Sequence, residues 1–260
     1  MITVKNYIKP DTLEAAYELN QKRANRIIGG MMWLRMGKGN ILTAIDLSGL
    51  LSGEITETDT DFHIGSMCTL RQLETHPGLA KSFGSVWKEC TRHIVGVQFR
   101  NGATVGGSIF GRYGFSDILT AFLVFDTKVK LYKKGIIPLS EFITMDRDRD
   151  ILEEIIVAKD GRRAVYLSER RSQTDFPVLT CAAAKLADGS IRAAIGARPG
   201  KAVLYTAAPE AGETAEGFAA RFAAEVKADI KTESNLRGGA EYRRHLADVL
   251  TKRAVCRLEG

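Results

Sequence analysis

Two pairs of adjacent glycines, Gly29-Gly30 and Gly106-Gly107, each follow a short run that reads as extended chain. Lacking β-carbons, such a pair lets the backbone turn sharply or bring its amides close to an anion, and two such loops can cradle one diphosphate. Thr104, just before the second pair, adds a hydroxyl able to donate to phosphate. Asp117, at an expected helix start, adds an acceptor for ribose hydroxyls. The residues alone leave two readings of each feature open. A Gly-Gly pair also makes an ordinary tight turn, and Asp117 also serves as a helix cap favoured by the helix dipole. Neither pair stands in a G-x-G-x-x-G or G-x-x-x-x-G-K-[ST] frame, so the Rossmann and P-loop fingerprints are absent.

Other chemistry finds little support. Cys68, Cys90, Cys181 and Cys256 form no C-x-x-C pair, and His63, His76, His93 and His245 form no H-x-H or H-x-x-x-H pattern, so no metal site is expected. Any redox chemistry then needs a bound organic cofactor. Lys and Arg number 37 against 31 Asp and Glu, a net charge of +6 spread along the chain without a polybasic stripe. That distribution argues against a nucleic-acid partner. A hydrophobic content of 45% with 26% charged residues supports a sizeable core and excludes a disordered or fibrous chain. No apolar run approaches the roughly 20 residues that cross a bilayer, and the N-terminus lacks a secretory pattern, so no membrane association and a soluble, cytoplasmic protein are expected.

The elements that must position these residues follow from pattern. Asp11-Thr-Leu-Glu14 reads as a capping box opening a first helix near residue 12, with Asp11 as the cap. Arg26 to Ile28, Ile41 to Leu47 and Phe62 to Cys68 read as strands, followed by a short helix from Thr69 to Thr75 and a longer one from Pro77 to about Cys90. Val95 to Phe99 reads as extended, with a turn at residues 100–102, and Ser116-Asp117 opens an apolar helix before a strand near residues 126–132. From Asp150 onward, Ile151 to Val157, Arg163 to Leu167, Val178 to Leu186 and Ile191 to Ile195 read as an antiparallel meander. Helices from about Glu213 to Ile230 and Glu241 to Ala254 close the chain. A domain boundary is expected near residue 148, dividing residues 1–148 from 149–260.

The segment Gln98-Phe-Arg-Asn-Gly-Ala-Thr-Val-Gly-Gly-Ser-Ile, followed by Ser116-Asp117-Ile-Leu and Asp126, resembles the second flavin loop of the FAD-binding medium subunits of molybdenum hydroxylases, the xanthine dehydrogenase and carbon monoxide dehydrogenase family. Ile27-Ile-Gly-Gly-Met-Met-Trp-Leu resembles the first FAD loop, and Ile64-Gly-Ser-Met-Cys-Thr-Leu-Arg the strand-to-helix element between them. Arg170-Arg-Ser-Gln-Thr-Asp-Phe-Pro and Leu236-Arg-Gly-Gly-Ala-Glu-Tyr-Arg-Arg are similar to the C-terminal domain of the same subunits. The resemblance implies an α+β chain, with a bipartite FAD-binding domain of two α/β subdomains followed by a C-terminal domain with a small antiparallel sheet and helices.

It further implies an electron-transfer role. Electrons would come from a two-iron iron-sulfur subunit, fed by a molybdopterin-binding large subunit that hydroxylates the substrate, and leave through FAD to NAD or another acceptor. Arg26, Ile27, Ile28, Gly29, Gly30, Met31, Met32 and Trp33 would line the FAD diphosphate and part of the flavin. Thr104, Gly106, Gly107 and Ser108 would close the second side, Asp117 would hold the ribose, and Ile156 would pack near the isoalloxazine ring. Many relatives carry Thr-Asp where this chain has Met31-Met32, which removes a side-chain donor and keeps the backbone amides. That departure motivates a structural subunit with a decayed flavin site as an alternative, and a free-standing FAD oxidoreductase of related fold is a second.

Overall fold

The computed structural model describes residues 1–259. In chain order the elements are β1 (Ile2–Ile8), α1 (Leu13–Gln21), β2 (Arg26–Ile28), a 3-10 turn (Leu34–Met36), β3 (Gly39–Asp46), β4 (Ile55–Glu57), β5 (Asp61–Gly65), α2 (Leu70–Thr75), α3 (Pro77–Phe83), α4 (Val86–Thr91), α5 (Val97–Gly102), α6 (Val105–Phe110) and α7 (Asp117–Phe122). There follow β6 (Thr127–Leu131), β7 (Gly135–Pro138), α8 (Leu139–Phe142), β8 (Leu152–Ala158), β9 (Ala164–Glu169), β10 (Leu179–Lys185), β11 (Ile191–Gly196), β12 (Val203–Ala207), α9 (Ala215–Asp229) and α10 (Ala240–Glu259). The mixture of helices with largely antiparallel sheets is the expected α+β class. Two compact units result, one from Met1–Leu73, Val97–Gly111 and Thr127–Ala158, the other from Glu74–Gly96, Arg112–Asp126 and Lys159 onward.

The first unit holds two sheets. A parallel sheet of order β1-β3-β2 packs α1 against Ile45, with Ala16, Leu47 and Ile151 buried and Leu13, Tyr17 and Ile27 around them. An antiparallel sheet of order β4-β5-β8-β6-β7 buries Phe62, Ile64, Val129, Ile155 and Val157. These residues recur at every second position of their strands, which places them on one face. The opposite face carries His63, Ile156 and Lys128 side by side across β5, β8 and β6.

The second unit is a four-stranded antiparallel sheet, order β12-β11-β10-β9, with α9 and α10 on one face. Strand β10 is buried on both faces, so Leu179 to Ala184 reads as a continuous small-residue run instead of an alternation. Cys181 and Ala183 meet α9 and α10, whereas Thr180 bonds Thr120 of α7, Oγ1 to Oγ1, at 3.1 Å. Trp87 packs among Phe83, Phe122 and Phe125, its ring centroid 4.4 Å from that of Phe122.

Several elements differ from the sequence reading. Strand β1 stands where no strand was expected: it is mostly exposed and owes its form to parallel pairing with β3, from Ile2 opposite Gly39 to Ile8 opposite Ile45. Thr12, not Asp11, caps α1, accepting from the Ala15 amide at 3.2 Å. The helix after Pro77 breaks into α3 and α4 at Gly84, whose φ of +74° no helix accommodates. Residues 97–102, expected as the end of an extended run to Phe99 and a turn at residues 100–102, form α5, because no strand lies beside them and the Phe99 ring is buried instead. Strand β8 pairs with β5 and β6, not with the C-terminal meander, where β12 completes the sheet.

Candidate functional site

In the first unit the two glycine-bearing segments meet. Strand β2 ends at the carboxyl edge of the parallel sheet and runs into Gly29-Gly30, the edge at which open α/β sheets bind ligands. A β-carbon on Gly30 would overlap the Gly102 carbonyl, and one on Gly29 would lie 2.8 Å from Thr104 Oγ1. Glycine is needed at both positions because backbone and hydroxyl occupy the space. The Trp33 ring stands edge-on to Phe99, centroids 4.7 Å apart, and Met32 covers Gly102, fastening the end of the first loop to α5.

Residues 66–70 lace the second segment in place. Leu70 N donates to Ala103 O at 2.8 Å, Val105 N to Cys68 O at 2.8 Å and Gly106 N to Ser66 O at 2.9 Å. Thr104 then caps α6, accepting from Gly107 N at 3.2 Å, and Ser108 Oγ donates back to Thr104 O at 3.0 Å. The second glycine pair therefore lies inside a helix with both amides consumed within the chain, where a phosphate-facing loop was expected. The first pair behaves otherwise. Among the described residues, the amides of Gly29, Gly30, Met31 and Met32 donate to no protein acceptor. Met31 holds a left-handed φ of 56°, the kind of conformation that turns successive amides toward one point as an anion-binding nest.

The remaining expected residues are placed as follows. Arg26 opens β2 and donates to the Asn25 carbonyl at 2.8 Å, while Ile27 packs in the α1 cluster and Ile28 is buried. Ile156 is buried to 9% exposure between His63 and Lys128. Beside it His63 Nδ1 lies 3.2 Å from Glu154 Oε2, and Lys130, 3.1 Å from Glu153, is held above its usual range by that carboxylate. Asp117 belongs to the second unit, at the first turn of α7 behind the Ser116 cap. Its Oδ1 accepts from both Tyr166 Oη and the Arg170 guanidinium. Burial pushes the Asp117 carboxyl up, against the Arg170 charge and these two bonds, which draw it down.

Sequence reasoning did not single out Ser66, Tyr166 or Arg170 as site residues. Ser66 is buried with its Oγ unpartnered, and a β-carbon on Gly106 would stand 2.5 Å from Ser66 Cβ. The signal for Ser66 was present in the strand-to-helix segment, since a serine immediately after a buried strand end needs a polar partner. No group of His, Cys, Asp and Glu among the described residues could hold a metal ion.

Comparison with known proteins gives this geometry a family. Residues 3–159 match the model of the FAD binding domain in molybdopterin dehydrogenase, and residues 163–258 match the CO dehydrogenase flavoprotein C-terminal domain. The chain is 24% identical over 251 residues to the protein YgfM of Escherichia coli strain K12, covering 95% of this chain and 93% of that one. It is also 24% identical over 286 residues to XdhB of the same strain, named as a candidate xanthine dehydrogenase FAD-binding subunit, covering 98% of this chain and 96% of that one. The fold is shared with a chain of carbon monoxide dehydrogenase from Hydrogenophaga pseudoflava, with a TM-score of 0.82 at 20% identity, over 98% of this chain and 97% of that one.

FAD fits the residues present: four free amides, a glycine cradle closed by Thr104, and a buried serine hydroxyl without a partner. With both family models matched in order along its length, the chain belongs to the FAD-binding flavoprotein subunits of the molybdenum hydroxylases.

Proposed function

We propose that the chain is the electron-transfer subunit of a multi-subunit molybdenum hydroxylase, accepting electrons from a two-iron iron-sulfur subunit and delivering them to NAD or another acceptor. A molybdopterin-binding large subunit would carry the substrate hydroxylation. The observation that carries this reading is the run of free amides from Gly29 to Met32, facing no protein acceptor and closed in by Thr104. Backbone N–H groups so arranged bind an anion without needing the side-chain donors that Met31 and Met32 lack. This favours a working site over the decayed one that the two methionines suggested.

When bound, FAD supplies two-electron and one-electron redox chemistry, so the protein is left with binding, orientation and shielding. Gly29 to Met32 hold the diphosphate through their amides. The Thr104 hydroxyl, which accepts from Gly107, keeps its own proton for a phosphate oxygen. Ile156 would present an aliphatic surface to the flavin and keep water away. No side chain is asked to act as an acid or base.

The test is a visible absorption spectrum of the protein produced together with its partner chains, before and after dithionite. Flavin bands that bleach on reduction support the reading. A colourless protein that added FAD does not reconstitute overturns it.

A further inference from the structure

In the second unit, the connection between α9 and α10 is held more tightly than an exposed loop requires. Asn235 N donates to Gly238 O at 3.1 Å and Gly238 N to Asn235 O at 3.2 Å, which leaves Leu236 and Arg237 as a two-residue tip. Asn235 Oδ1 accepts from the Arg237 amide at 2.9 Å. From beneath, the buried Arg243 donates to Asn235 Oδ1 and to the carbonyls of Gly238 and Glu233, and from the side Arg171 donates to Leu236 O at 3.2 Å.

This scaffold carries a bare apolar side chain. Leu236 is 96% exposed, so ordering the turn brings it almost no burial within its own chain. Beside it Tyr242, 47% exposed, has its ring 3.6 Å from where a β-carbon on Gly238 would stand, and the Arg237 guanidinium lies over the Phe176 ring at 4.6 Å. Tyrosine and arginine are the residue types that carry interface hot spots, and a fixed turn loses little freedom on binding.

The charge around the tip indicates what it meets. Arg171, Arg237 and Arg243 converge on these four residues, and among the described residues the one carboxylate within ion-pair reach of them is Asp175, 3.9 Å from Arg237 Nε. Along the connection Lys231, Arg237, Arg243 and Arg244 outnumber Glu233 and Glu241. A second copy of the turn is therefore a poor partner, since it would set arginine against arginine.

We propose that the Asn235–Gly238 turn is a docking knob whose Leu236 enters an apolar socket on another chain of the hydroxylase, with Tyr242 against the socket wall and Arg171 and Arg237 meeting carboxylates on its rim. The inference rests on the multi-subunit reading above. It adds the place of contact and the partner's chemistry, an apolar pocket bordered by acidic side chains.

The experiment titrates the full chain into its iron-sulfur and molybdopterin-binding subunits, purified as a tagged pair, at low and at high salt. Leu236→Ser should raise the concentration for half-saturation by about thirtyfold or more, the weight of an interface hot spot, while keeping the wild-type melting temperature and flavin content. Leu236→Met, which keeps an apolar side chain of similar size, should bind nearly as wild type. Arg237→Gln should weaken binding at low salt and flatten its salt dependence. A Leu236→Ser protein that binds the pair as wild type does overturns the proposal and leaves the multi-subunit reading standing. So does a wild-type dimer that Leu236→Ser splits without affecting the pair, since the socket then belongs to a second copy. A wild-type chain that carries FAD and binds neither subunit overturns both.

Discussion

The Thr104 hydroxyl fills the space that a β-carbon on Gly29 would require, 2.8 Å from it, while accepting the Gly107 amide at 3.2 Å. One oxygen thus closes the first glycine loop and caps α6. Thr104→Ser should preserve both roles. Thr104→Ala should lose about 1 kcal/mol of stability, the usual value of an N-cap, and should lower FAD retention as well. Chemical denaturation and the flavin-to-protein absorbance ratio of the purified variants check the two effects separately.

Gly30→Ala should be far more damaging, because the added carbon would overlap the Gly102 carbonyl and neither backbone can yield alone. The expected outcome is a folded protein with little or no flavin, read from the same absorbance ratio. A variant with full FAD content would show that the two loops are not held in contact.

Met31 carries a left-handed φ of 56°. For an ordinary residue this conformation costs roughly 1–2 kcal/mol, and asparagine tolerates it best after glycine. Met31→Asn should therefore retain FAD and hold or raise the melting temperature. Met31→Thr places a β-branched residue there and should lower it, even though threonine adds a hydroxyl to the site. Thermal melts with and without FAD distinguish strain from binding.

Arg243 of α10 is fully buried and donates to the carbonyls of Val178 at 2.9 Å and Glu233 at 2.7 Å, and to Asn235 Oδ1 at 2.7 Å. Arg243→Lys cannot span these acceptors with a single ammonium. Leaving several buried carbonyls unpaired should cost more than about 3 kcal/mol, measurable as a shift of the urea midpoint. An Arg243→Lys protein of wild-type stability would contradict this account.

Burial pushes the thiols of Cys68 and Cys181 from an ordinary value of 9.0 up to about 12, and drives Cys90 well above it. In the folded chain these groups keep their protons at a pH where the unfolded chain has lost them. These thiols therefore leave stability unchanged below about pH 9 and lower it as pH rises from 9 toward 12, by about 1.4 kcal/mol per pH unit for each. Urea midpoints at pH 8 and pH 10 should show the loss. At neutral pH only Cys256, the exposed cysteine, should react with a thiol reagent before denaturant is added.

Much of this site was legible in the sequence because it depends on local chemistry. Gly29-Gly30 and Thr104 carry their backbone roles in their residue types, as the Ser116-Asp117 helix start does in the second unit. What escaped was set by distant partners. The β1 segment looks unremarkable until β3 lies beside it, and Val97 to Phe99 has the composition of a strand but no strand to join. The difference between the two glycine pairs was hidden for the same reason. Only the carbonyl of Ser66, some 40 residues earlier in the chain, determines that Gly106 has no amide to offer. Likewise Asp117 could be read as a cap or a ligand contact, yet its choice of oxygen depends on Tyr166 and Arg170, which the sheet brings to it from far along the chain.

Each compact unit is assembled from three separated stretches of chain, and the polypeptide passes repeatedly from one to the other. No single cut can therefore release either unit whole. A fragment ending near residue 159 would contain α4 and α7 but lack β9 and β10, leaving Trp87 and Phe122 without the sheet of their own unit. During synthesis the second unit must wait for its last strands while its early helices already exist, so it is the slower of the two to close. Recombination between relatives should preserve folding best when both crossover points fall outside a unit's full set of segments, a constraint that makes the whole subunit the natural piece to exchange.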